Sequence, residues 1–137
     1  MKDCSFCKIV TGEKPLHKVY EDKWTLAFAP LEKDVIAKGH MLVVPKKHYS
    51  DIYEISQTDL NHIIGAVKII AQKLKDEYGA DGINILHASG KAAQQSVPHF
   101  HIHLIPRYNG DGLDLWPRTG YKETNFLKVY QKLNSFF

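Results

Sequence analysis

Between His99 and Leu104 the chain alternates histidine with bulky apolar residues: His99-Phe100-His101-Ile102-His103-Leu104. A period of two is that of a β-strand, whose successive side chains point to opposite faces. The pattern predicts a strand with His99, His101 and His103 on one face and Phe100, Ile102 and Leu104 on the other. At a strand rise of about 3.3 Å per residue, neighbouring imidazoles stand roughly 6–7 Å apart. Four more strands are predicted. Lys18–Glu21 and Trp24–Phe28 flank a turn at Glu21-Asp22-Lys23, with Trp24, Leu26 and Phe28 on one face, as core or as the wall of a base-binding pocket. His40–Pro45 is apolar enough to be buried on both faces. Ile83–His87 reads as a central strand that delivers the turn Ala88-Ser89-Gly90 to the histidine strand.

The period changes after Ser56-Gln57-Thr58-Asp59, a capping-box pattern. Leu60, Ile63, Ile64, Val67, Ile70, Ala71 and Leu74 recur at steps of three and four, which predicts an amphipathic helix of about six turns ended by Gly79. His62, on this helix, reads as a surface or half-buried residue. Phe126, Leu127, Tyr130, Leu133 and Phe137 predict a terminal amphipathic helix. Leu113-Asp114-Leu115-Trp116-Pro117 is an apolar patch in a loop, read as packed, as a dimer contact or as a lid over a partner's site.

At 137 residues and 44% hydrophobic, the chain has the size of one domain, 1–137, and enough apolar residues for a core. Its net charge of +3 suits anionic small molecules, but no basic run exceeds two residues, which argues against nucleic acid. Lys68 and Lys73 interrupt the most apolar helical stretch, so no membrane span is expected. No signal peptide is visible, and two cysteines in a chain this long fit a reducing, cytoplasmic setting.

A histidine row of this kind has three readings: a merely wet face, a metal site, or nucleophilic catalysis with one imidazole attacking. The flanks favour the third. Ser96 can donate its hydroxyl to a phosphate oxygen, and Ser89–Gln95 is small and polar, as a loop around an anion would be. Gly90-Lys91 lacks the upstream glycine and following Ser/Thr of a P-loop. Cys4-x-x-Cys7 reads as a redox pair, a disulfide or half of a zinc site.

His99-Phe100-His101-Ile102-His103-Leu104-Ile105 resembles the histidine-triad (HIT) pattern, His-φ-His-φ-His-φ-φ with φ apolar. Gln95-Ser96-Val97, Pro106-Arg107, Gly39–His48 and Cys4–Val10 match in the family's order, closest to its Hint-like, bacterial Hit-type branch. The resemblance implies an α+β fold: a five-stranded, mainly antiparallel sheet with one long central helix and a C-terminal helix. An N-terminal segment, 1–15, would be tied down by zinc, and 108–137 would form the C-terminal loop and helix. It implies structural Zn2+ on Cys4, Cys7, His48 and His99, and a homodimer with sheets continuous across the interface.

It also implies a chemistry. His101 would attack the α-phosphorus of a nucleotide conjugate, giving a covalent nucleotidyl-imidazole that water resolves to a nucleoside monophosphate. The imidazole is a competent nucleophile near neutral pH if its other nitrogen gives its proton to a fixed acceptor, for which a backbone carbonyl suffices. His103 and Ser96 would hold phosphate oxygens or the leaving group, His40 would fix a tautomer, and Gln94 and Gln95 would offer backbone N–H groups to developing charge. No metal is required for turnover in this scheme. Three departures stand out. Pro30 occupies the place of a ribose-binding Asp, with Glu32 and Asp34 as substitutes nearby. Ala88 stands for an Asn or Gln that reaches the phosphate, and Gln94 for a glycine. Two alternatives are a metallohydrolase using the triad as zinc ligands and a nucleotide-binding module that has lost turnover.

Overall fold

The computed structural model describes residues 3–116, 118, 120, 122 and 124–137. Strands β1 (Lys18–Glu21), β2 (Thr25–Phe28), β3 (Met41–Pro45), β4 (Gly82–Leu86) and β5 (Ile102–Arg107) form one sheet in the order β1-β2-β3-β5-β4. Every neighbouring pair is antiparallel. Helix α1 (Ser5–Val10) lies against one face, α2 (Gln57–Asp76) against the other, and α3 (Phe126–Asn134) ends the chain. The expected α+β architecture, five antiparallel strands with one long helix, is the one observed.

Two apolar clusters hold the sheet. On the α2 face, Ala27, Val43, Phe100, Ile102 and Leu104 pack with Ile63, Val67, Ile70 and Leu74 of the helix. Each of these side chains larger than Ala27 contributes on the order of 1.5–3 kcal/mol when removed from water. Ser56 caps α2 by accepting from the Asp59 N–H at 3.1 Å. The helix ends at Asp76, and Gly79, at φ +73°, makes the turn after it. Ile64, expected in the buried stripe, faces solvent. On the other face, Leu26, Phe28, Leu42 and Val44 pack with Cys4 and Phe6.

The sheet corrects three expectations. β5 begins at Ile102, so His99 and His101 precede the paired ladder. Alternation still governs them: Phe100 is buried in the α2-side core, and both imidazoles meet Phe6 of α1 edge to face, at 5.8 and 5.3 Å. β4 is an edge strand, paired on one side with β5, and Ile85 on it is 50% exposed. Trp24 does not share a face with Leu26 and Phe28. It lies one residue before β2 and stacks on His62 of α2, centroids 3.9 Å apart.

α3 forms as its periodicity predicts, but none of its residues is buried. In the 113–117 patch Leu113 and Leu115 are half-buried, Trp116 is exposed, and Pro117 lies outside the described residues.

Candidate active site and metal centre

His103 stands opposite Leu42 of β3, which places it on the α1 side of the sheet. His40, just before β3, reaches it: Nε2 of His40 lies 3.0 Å from Nδ1 of His103. The backbone N–H of Ile36 donates to His40 Nδ1 at 3.1 Å. A neutral imidazole has one donor and one acceptor nitrogen. His40 Nε2 therefore carries the proton and donates to His103 Nδ1, which leaves the His103 proton on Nε2. His101 is fixed by its own chain, with Nδ1 2.7 Å from the His99 carbonyl. That bond places the His101 proton on Nδ1 and the lone pair on Nε2. The two rings stand 5.1 Å apart. Burial lowers the pKa of His101 and His40 below the usual imidazole value, and lowers His103 to about 4, with the charges of His101 and His40 adding to it. All three are neutral near pH 7.

These rings open on a hollow of about 290 Å³. His40, His101, His103 and Ser96 line its polar end; Phe6, Phe28, Leu42 and Val97 form apolar walls. Phe28 thus serves both as core and as wall. The loop before Leu42 adds Pro30, Leu31 and Asp34, whereas Glu32 lines a separate surface hollow. A larger apolar hollow of about 520 Å³ behind His40 includes neither His101 nor Ser96.

The loop between β4 and the triad is held by side chains. Gln95 accepts from the Gly90 N–H at 2.8 Å and donates to the carbonyls of Ser50 and Val97 at 2.6 and 3.1 Å. Its amide is a brace. The backbone N–H groups of Gln94 and Gln95 are turned inward, to the carbonyls of Lys91 and Gly90. Gln94 adopts φ +66°, ψ +29°, the only non-glycine in the left-handed region among the described residues. His87 donates from Nδ1 to the His101 carbonyl at 2.7 Å, and its Nε2 lies 2.6 Å from Ser89 Oγ, which accepts from the Ile52 N–H. Ala88 contributes no polar atom there.

A second constellation sits beside the first. Cys4, Cys7, His48 and His99 present one ligand atom each, all within 4.8 Å of one another. Nδ1 of His99 lies 3.4 and 3.6 Å from the two sulfurs, and Nδ1 of His48 lies 3.3 Å from Cys7 Sγ. Zn–S and Zn–N bonds of about 2.3 and 2.0 Å at a tetrahedral angle imply S···N separations near 3.5 Å. His99 gives its Nε2 proton to the Pro45 carbonyl at 2.9 Å, so the Nδ1 lone pair faces the sulfurs. Burial brings His99 down to about 4, so it is neutral and fit to ligate. Burial, and then the bond with Cys4, raise the Cys7 thiol; a bound dication reverses that balance. The four residues can hold a metal of zinc's size and preference. Neither His101 nor His103 belongs to this cluster.

The structure brings the four candidate ligands together and gathers His40, His101, His103 and Ser96 on one hollow, whereas Gln94 and Gln95, expected to face the phosphate, do not line it. Nothing in the sequence pattern alone points to Phe6, which touches both His99 and His101, or to the pocket residues Ser5 and Lys14. Only its place inside Cys4-x-x-Cys7 marks Phe6, because whatever anchors the cysteines carries it along.

An antiparallel sheet of this order, with an alternating His row over the hollow and a Cys2His2 cluster beside it, has the form of a HIT domain. The chain belongs to the HIT family: the HIT domain model matches residues 11–110. It is 44% identical over 112 residues to Protein hit of Bacillus subtilis, covering 81% of this chain and 76% of that one. It is 35% identical over 136 residues to an adenosine 5'-monophosphoramidase of Candida albicans, covering 95% and 88% of the two chains. A crystal structure of a zinc-bound histidine triad family protein from Mycobacterium smegmatis superposes with TM-score 0.76 at 33% identity, covering 99% of each chain. This family context supports nucleotide hydrolase activity.

Proposed function

We propose that the chain cleaves the α-phosphate bond of a nucleotide conjugate (a phosphoramidate, acyl-adenylate or dinucleoside polyphosphate) through a covalent intermediate on His101. The observation that carries this reading is the tautomer of His101, with Nδ1–H tied to the His99 carbonyl and the Nε2 lone pair left for phosphorus. In the first step Nε2 forms a bond to the α-phosphorus, and the bond from phosphorus to the leaving group breaks with its electron pair. The leaving group takes up a proton from solvent, and the water that attacks in the second step returns one to solvent. Nε2–H of His103 and the Ser96 hydroxyl donate to phosphate oxygens or to the departing atom. Water then attacks phosphorus, the P–N bond returns its pair to Nε2, and a nucleoside monophosphate leaves. Asp34, the carboxylate lining the hollow, takes the sugar hydroxyls in place of an acid at Pro30.

Structural zinc on Cys4, Cys7, His48 and His99 would tie α1 to the strand carrying the triad. A metallohydrolase reading has less support, because His99 faces the cysteines while His101 and His103 face the hollow. A homodimer is supported by the edge position of β4, its exposed Ile85 and the uncovered apolar residues of α3. The reduced cysteines suit a cytoplasmic site of action.

The deciding experiment is a turnover panel of the three conjugate classes with labelled α-phosphate. Label should be trapped on the wild-type protein, and His101→Ala should lose at least about three orders of magnitude in kcat. Turnover that survives in His101→Ala would rule the mechanism out.

A further inference from the structure

His101 attacks through its ring, but the peptide that carries the ring lies beyond the paired ladder. On the β4 side the pairing ends at Leu86 opposite His103, two residues short of His101. His87 follows at once, and its side chain takes over where the strand stops. Its Nδ1 lies 2.7 Å from the His101 carbonyl oxygen, and its ring stacks on Phe100, centroids 4.3 Å apart. A carbonyl only accepts, so the His87 proton sits on Nδ1 and Nε2 is left as an acceptor. Ser89 Oγ meets Nε2 at 2.6 Å and gives it the hydroxyl proton, while the Ile52 N–H donates to the same oxygen at 2.9 Å. The relay runs one way, from Ile52 N–H to Ser89, to His87, to His101, and each bond polarises the next. It starts from the loop whose Tyr49 carbonyl takes the Phe100 N–H at 2.6 Å.

We infer, on the nucleotide reading above, that His87 is a positioning residue for the attack by His101: it clamps the peptide from which the attacking ring hangs. The His101 ring is bonded to the His99 carbonyl, on the amino-terminal side of its own residue. That bond fixes the ring relative to the main chain, so the aim of Nε2 is only as steady as the main chain itself. The His87 bond holds the carbonyl on the other side, where the ladder to β4 has ended. Attack on phosphorus needs the reacting atoms about 3–3.5 Å apart and aligned, and a misplacement of about 1 Å can cost about 10²-fold. His87 is not among the residues that line the hollow. Its loss therefore falls on kcat and spares KM.

The test compares wild type, His87→Phe and His87→Asn in the full chain with zinc supplied. His87 is exposed, so neither change opens the core. Phenylalanine keeps the stack on Phe100 and sets a C–H against the carbonyl; asparagine keeps an N–H where Nδ1 stands. On a conjugate that wild type turns over, His87→Phe should lower kcat about tenfold or more with KM within about twofold, and His87→Asn should regain most of the loss. NMR order parameters of the His101 and Ile102 amides, which need no substrate, should fall in His87→Phe and hold in His87→Asn. An unchanged kcat in His87→Phe, a loss taken in KM, or a loss that His87→Asn shares in full would overturn the positioning role and leave the catalytic reading intact. Order parameters unmoved in His87→Phe would overturn it as well, with or without turnover. Order parameters that fall as expected in a chain that turns over no conjugate would sink the catalytic reading and keep the clamp.

Discussion

His40 is bonded at both ring nitrogens, and that is what lets it fix His103. Its Nδ1 is occupied by a backbone N–H, so only Nε2 can face the triad as a donor. Supporting partners of this kind are commonly worth 10–100-fold. His40→Leu should therefore lower kcat about tenfold or more with little change in KM, and His40→Gln, which keeps a donor, should recover part of the loss. An equal loss in both would count against the tautomer assignment. Acid sensitivity belongs to the same scale. His103 sits at about 4 when folded, against an ordinary value of 6.5. As pH falls, the unfolded chain binds the proton first, so this group's contribution to stability is whole above about pH 6.5 and is lost toward about pH 4. Between about pH 7 and pH 5 the Tm of wild type should fall further than that of His103→Asn. Parallel falls would refute this.

Among the elements, the loop 88–96 carries local strain. Gln94 holds a left-handed backbone that costs a non-glycine residue on the order of 1–2 kcal/mol. Gln94→Gly should raise stability by about 1 kcal/mol, less the entropy glycine adds to the unfolded chain, read as a shift in the urea midpoint at constant m. Gln95→Ala should do the reverse, freeing the Gly90 N–H and two carbonyls at once. The sequence speaks clearly about elements where burial repeats with a period. The stripe Ile63, Val67, Ile70 and Leu74 places α2, and Phe100, Ile102 and Leu104 place the triad's far face. It is silent where position depends on a partner. Nothing local in Ile83–His87 says that its strand lies at an edge, because strand order is set by long-range pairing. Trp24 follows the alternation of its neighbours in sequence, but the strand begins only after it, and the ring turns to His62. The inward turn of Gln95 was equally hidden, since glutamine serves a substrate or a carbonyl alike. Asp34 and Lys14 enter the pocket from aperiodic segments that carry no pattern to read.

For the whole molecule, apolar surface and metal are the open accounts. Among the described residues, Phe126, Leu127, Tyr130 and Leu133 of α3 and Ile85 of β4 are exposed together with Trp116. Light scattering should give a solution mass about twice the 15.6 kDa of one chain. A charged substitution at Ile85 should lower it, and a monomeric wild type would contradict the dimer. Metal analysis should find about one zinc per chain, and Cys4→Ser should reduce it sharply.

Phe6 meets the imidazole of His99 on one side and that of His101 on the other. The short helix that carries it is held to the sheet through Cys4 and Cys7, so this wall of the hollow hangs from the same residues that would hold an ion. Chelation should then leave the attacking nitrogen aimed as before and loosen the grip on the nucleotide. The expected signature is a higher KM with kcat largely kept, in a protein whose sheet is still folded.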